Sequence, residues 1–234
     1  MSNMRPKIIS VLLILAAAMA LAQSDSEIQS VIQKRIGRIP GVTVSVQSGA
    51  VTLSGTTSSL AQKQKTMNFA RRTIGAKTVV DRLAVVPAVK QSDAQIIEAV
   101  KKTLAANLSR QESGAITAAV QDAVVTLTGT LPSSYPKHLA GVVTGLVPAI
   151  VNMNNRIVVK PLQPRPDTEI LSDVTTRFAQ NPLVPASDIA ITVNAGVVTL
   201  SGTVNTFFQA EQAESVTRFV PGVIDVRNLL FVRG

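Results

Sequence analysis

Apolar and polar positions along this chain run through one five-part cycle three times. Ile28, Val31, Ile32, Ile36 and Ile39 recur at helical spacing, behind a Ser or Asp able to cap free N–H groups. A second cycle opens at Asp93 with Ile96, Ile97, Val100 and Leu104, and a third at Asp167 with Ile170, Leu171, Val174 and Phe178. Alternation follows: Val42–Val46 and Ala50–Ser54, parted by a short Gln-Ser-Gly turn, predict a hairpin. In the third cycle the turn is Asn194-Ala195-Gly196, which suits positive φ. Gly55, Gly129 and Gly202 are expected to end the second strand. A second helix is predicted over 59–74, 138–147 and 208–220, and a closing strand over 79–86, 151–159 and 223–232.

The most constant piece of the cycle is its second strand, which reads GAVTLSG at Gly49–Gly55, AVVTLTG at Ala123–Gly129 and GVVTLSG at Gly196–Gly202. A spacing of 74 and then 73 residues marks tandem copies of one small domain. The order helix, strand, strand, helix, strand predicts an α+β fold. It gives three αββαβ sandwiches, each a three-stranded sheet with two helices on one face. The units run 23–90, 91–161 and 162–234, joined by Val86–Lys90 and the semi-rigid, proline-rich Lys160–Pro166. Units this small bury limited surface, so packing of the copies on one another would help them.

Residues 1–22 have the pattern of an export signal. Arg5 and Lys7 precede the apolar run Ile8–Leu21, and Ala20-Leu21-Ala22 is a small-x-small cleavage pattern. The run is short for a bilayer span. The expectation is cleavage near Ala22 and export to the periplasm, with full secretion as the alternative. No cysteine follows for lipid attachment or disulfides, so stability rests on apolar cores.

Candidate chemistry is sparse. With one histidine, His138, and no cysteine, thiol nucleophiles, cysteine-based zinc sites and repeated histidine triads are excluded. Glu211 and Glu214 share a helix face, which reads as solvated rather than as an acid–base pair. Asp167, Glu169 and Asp173 gather at a helix start, where acids favour the dipole; a calcium site is the weaker alternative. No phosphate loop or dinucleotide fingerprint occurs. The expectation is a non-enzyme with no cofactor and no metal. The formal charge is +9, but one Tyr, six Phe and no Trp make a poor stacking platform, so nucleic acid is not an expected partner. A basic exported chain meets anionic lipid, other envelope polyanions or acidic proteins instead.

The charge is uneven. Residues 23–90 hold ten cations against three anions (+7), 91–161 six against four (+2), and 162–234 five against seven (−2). Aligning the glycine strands turns Phe69, Val143 and Val216 toward the sheet, with Thr73, Val147 and Val220. The opposite face of the second helix then carries Lys65, Asn68 and Arg72 in the first copy. With neighbouring cations this gives Lys63, Lys65, Arg71, Arg72 and Lys77 as candidate ligands of anionic headgroups. A count of periodicity alone instead buries Leu60, Met67 and Ile74 and turns Phe69 outward. In the second copy the same face is Leu139, Val142 and Leu146, a candidate protein-interaction stripe, and Gly141 and Gly145 permit close helix approach. That stripe packs against a neighbouring copy, self-associates or meets a client.

The three glycine strands, the small-residue second helix and the closing Val220-Pro-Gly-Val-Ile-Asp-Val-Arg-Asn-Leu resemble the BON domain family (bacterial OsmY and nodulation). The third copy matches best. The second has Ala149 where the third has Gly222, and the first has Asp81 where the others have Asn155 and Asn228. The resemblance implies a periplasmic or outer-membrane-associated, stress-related protein that contacts phospholipid, membrane proteins or other polymers, with some members chaperone-like. It supplies no catalytic residues. The expected role is weak, reversible binding of anionic phospholipid or an envelope polyanion through the first copy. The alternative is a chaperone-like or scaffolding protein that uses the second copy's apolar helix.

Overall fold

The structure is a computed structural model that describes residues 23–37 and 39–233. The export-signal reading falls on residues 1–22 and lies outside them. Each copy forms the same five-part unit. The first comprises α1 (Asp25–Ile36), β1 (Val42–Gln47), β2 (Ala50–Thr57), α2 (Leu60–Arg71) and β3 (Thr78–Val85). The second comprises α3 (Asp93–Asn107), a short α4 (Arg110–Gly114), β4 (Ile116–Gln121), β5 (Val124–Leu131), α5 (Ser134–Gly145), β6 (Asn152–Asn155) and β7 (Val158–Val159). The third comprises α6 (Asp167–Gln180), β8 (Ile189–Asn194), β9 (Val197–Val204), α7 (Phe207–Arg218) and β10 (Asp225–Val232).

In every sheet the glycine strand is central. It pairs antiparallel with the strand before it (Val44 opposite Leu53) and parallel with the closing strand (Leu53 opposite Asp81). Alternate residues of the central strand enter the core. Val51 and Leu53 meet Ile28 and Ile32 of α1 and Met67 and Ala70 of α2. Val198 and Leu200 do the same against Ile170, Val174 and Phe178 of α6 and Ala210 and Ala213 of α7. Both helices thus cover one sheet face, as the α+β reading requires.

Three local expectations are corrected. The repeated glycines lie inside the central strands, which run two residues further. At Gly55, Gly129 and Gly202 φ is +109°, +138° and +122°, and a β-carbon would overlap the carbonyl oxygen of Gly41, Ala115 or Asp188. The glycine is there because two strands approach too closely for a side chain. α5 begins at Ser134, four residues earlier than predicted, and carries Pro136 in its first turn, where the missing N–H has no helical partner anyway. The closing strand of the second copy is split in two.

Candidate functional site

The first helices and hairpin turns are tied by an acid in each copy. Asp25 accepts the backbone N–H groups of Ser48 (2.7 Å) and Gly49 (2.8 Å). Asp93 accepts those of Asp122 and Ala123 (both 2.9 Å), and Asp167 those of Ala195 and Gly196 (both 2.8 Å). Ser24 and Ser92, not these acids, cap α1 and α3. Asp167 is therefore engaged, and Arg165 pairs with both Glu169 (3.1 Å) and Asp173 (2.6 Å). Among the described residues no group of three metal-ligating side chains converges.

The three second helices meet at the centre of the molecule, in a head-to-tail cycle. The end of α2 meets α7: Phe69 lies 4.7 Å from Phe207, and the Arg72 guanidinium sits 4.9 Å from the same ring. The end of α7 meets the start of α5, with Tyr135 stacked on Phe219 at 3.9 Å and the Ser134 hydroxyl donating to the Arg218 carbonyl (3.4 Å). The end of α5 meets α2, where Gly145 leaves room for Gln64 and Leu60 joins the second copy's core. The cycle closes through backbone as well: Val232 N–H donates to the Arg72 carbonyl (2.6 Å).

Glu214 is the charged centre of this junction. It accepts from Arg72 (2.9 Å), Arg218 (3.0 Å) and the Asn228 amide (2.8 Å). Burial opposes its ionisation, but Arg218, Asn228 and Arg72 outweigh burial and hold the carboxyl below the usual carboxylate range. Its neighbour Glu211 is pushed up instead, by burial and then by the Glu214 charge, against the pull of Arg72 and Lys65.

The five cations singled out in the first copy divide into two groups. Arg72 is only 8% exposed and is locked to Glu214, so it faces the third copy rather than solvent. Lys63 pairs with Asp81 (2.9 Å) and donates to the Leu83 carbonyl (2.6 Å). At the matching place Asn155 and Asn228 donate to the helix carbonyls of Lys137 and Ala210 (both 2.9 Å), which a carboxylate cannot do; Asp81 instead takes the Lys63 ammonium. That substitution of Asp81 for asparagine was the available signal. Lys65, Arg71 and Lys77 are exposed and form no ion pair among the described residues. Arg71 and Lys77 line a groove of about 630 Å³ between the first and third copies.

The facing of α2 follows periodicity more closely than the strand alignment. Leu60 and Met67 are buried, while Phe69 is half-buried against Phe207 with the Lys65 ammonium 5.7 Å from its ring. Of the apolar stripe on α5, Leu139 packs onto the second copy's core, whereas Val142 (45%) and Leu146 (64%) stay exposed. Sequence reasoning missed Glu214 as a junction residue, since nothing local marks its partner Arg72.

No helix among the described residues is long and apolar enough to cross a membrane. One relative, Osmotically-inducible protein Y of Escherichia coli (strain K12), is 29% identical over 111 residues, 45% of this chain and 55% of the relative. The chain thus matches about half the length of that curated protein. Among solved structures, CdsD, a structural protein of the type III secretion system of Chlamydia trachomatis, overlaps 88% of this chain and 92% of its own at 13% identity and a TM-score of 0.26. The PrgH periplasmic domain overlaps 86% and 98% at 10% identity and a TM-score of 0.22. Overlaps that loose bear on neither arrangement nor function. The BON domain model matches residues 24–87, 92–161 and 166–234, each over one αββαβ unit, and the chain belongs to the BON domain family.

Proposed function

We propose that this chain is a non-catalytic, exported envelope protein that binds an anionic phospholipid surface or another envelope polyanion, weakly and reversibly, through its first copy. The observation that carries this reading is the exposed set Lys65, Arg71 and Lys77 on the most basic copy. Three cations near such a surface contribute about 1 kcal/mol each at low salt, enough for reversible attachment and too little for anchoring. The export-like leader supports a periplasmic setting, and the relative named for osmotic induction supports a role in envelope stress. Flotation with liposomes tests the reading. The chain should rise with anionic but not neutral vesicles, less so at physiological salt, and the triple reversal Lys65→Glu, Arg71→Glu, Lys77→Glu should stay at the bottom. Absence of flotation in every condition overturns it.

The exposure of Val142 and Leu146 favours a second reading, a chaperone-like contact with client proteins. It predicts suppression of client aggregation that salt does not weaken and that Val142→Asp abolishes. Suppression unchanged in that variant would exclude this face.

A further inference from the structure

Where the three second helices meet they leave a cleft of about 490 Å³, to which every copy contributes charge. The size is that of a small-molecule site. From the first copy come Lys63, Arg71 and Asp81, from the second Lys137 and His138, and from the third Arg218 and Asp225. Both acids are already answered, Asp81 by Lys63 (2.9 Å) and Asp225 by Arg218 (3.4 Å). Arg71 and Lys137 have no ion-pair partner among the described residues. Arg218 is 8% exposed, and its buried Nε has no acceptor among the described residues. The cleft therefore carries more cationic than anionic side chains: Lys63, Arg71, Lys137 and Arg218 against Asp81 and Asp225.

We propose that this cleft binds a single phosphate group, free or carried on a small headgroup, between Arg71, Lys137 and His138. The proposal shares its anion chemistry with the membrane reading but not its site: Lys137 and His138 belong to the second copy, and only Arg71 borders both. A phosphate there touches two copies and lies beside the third, so binding it draws the three together. His138 reports on the site. His138 keeps an exposed edge, but the protein packed around its ring, then the Arg218 cation, push its imidazole below the ordinary histidine range, while Glu214 and Asp225 pull upward. Lys63, Arg71 and Lys137 add positive charge around it and Asp81 adds negative charge. An arriving phosphate dianion reverses that balance and favours the imidazolium.

The chain's one histidine gives one isolated set of ring signals in proton NMR. The full chain is titrated with inorganic phosphate, with glycerol 3-phosphate and with anionic vesicles, each against sodium chloride at matched ionic strength. The expected result is a saturable shift of the His138 ring protons and a rise of about one unit in its pKa. Lys137→Gln should weaken saturation about tenfold. A response to inorganic phosphate assigns a free-ion site. A response only to glycerol 3-phosphate and vesicles assigns a lipid headgroup. A drift that never saturates, or saturation unchanged in Lys137→Gln, overturns the proposal whether or not the chain floats.

Discussion

At the scale of single residues, the repeats differ most usefully where one copy departs from the other two. The hairpin turns place Ser48 and Gly49 at φ +52° and +79°, and Ala195 and Gly196 at +47° and +74°. The second copy puts Asp122 (+52°) and Ala123 (+59°) in the same conformation with no glycine at all. A β-carbon at positive φ is strained, and the Asp93 carboxylate offsets the strain by holding both N–H groups. Ala123→Gly should therefore stabilise the protein by about 0.5–1 kcal/mol, seen as a higher midpoint in urea unfolding; an unchanged or lower midpoint contradicts the strain argument. The acids behind these turns illustrate what a sequence reveals. Asp25, Asp93 and Asp167 stand at matching places and are legible as repeated helix-start residues. A local cap reading explains them too readily, and their hold on a hairpin more than twenty residues away goes unseen.

Among elements, the central strand of each sheet depends on a close backbone crossing at its glycine. At Gly202 the carbonyl of Asp188 occupies the place a side chain needs, and φ is +122°. Gly202→Ala must push β8 and β9 apart at the edge of the third core. A loss of about 3 kcal/mol is expected by denaturant titration, against little change for alanine at the open Gly114. The order of elements was legible because hydrophobic period, turn residues and glycine strand all repeat in register. The start of α5 was not, because Pro136 reads as a stop when it stands in a first turn. The facing of α2 was legible in its own periodicity, which buries Leu60 and Met67, but not in the alignment of the copies. Aligning the copies treats each as a free domain, whereas Arg72 is buried by a helix from the third copy.

For the whole molecule, the polar centre makes stability depend on acidity. The folded chain holds Glu214 below its ordinary value of 4.5. A carboxyl with a depressed folded pKa adds stability that is complete above the unfolded value and is lost as pH falls through the folded one. The depressed His138 acts in the same direction, since folding disfavours its protonated form below the ordinary 6.5. The melting temperature should therefore decline in acid, most steeply below about pH 4.5. Glu214→Gln should cost about 3 kcal/mol at pH 7 and flatten the acidic limb of the curve. A limb as steep as wild type in the variant would place the acid sensitivity elsewhere. This network joins residues 142 positions apart. No local pattern could show it, which is why Arg72, read as an exposed cation, proved to be engaged inside the molecule.

The head-to-tail cycle carries a consequence for local concentration. Two of its three contacts lie between copies that follow one another in the chain, and once they form, the first and third copies sit side by side. The remaining seam then closes as an intramolecular event, at an effective concentration in the millimolar range. A seam built from the Glu214 ion network, the Phe69–Phe207 pair and hydrogen bonds to and from Val232 is thereby kept formed without strong intrinsic affinity.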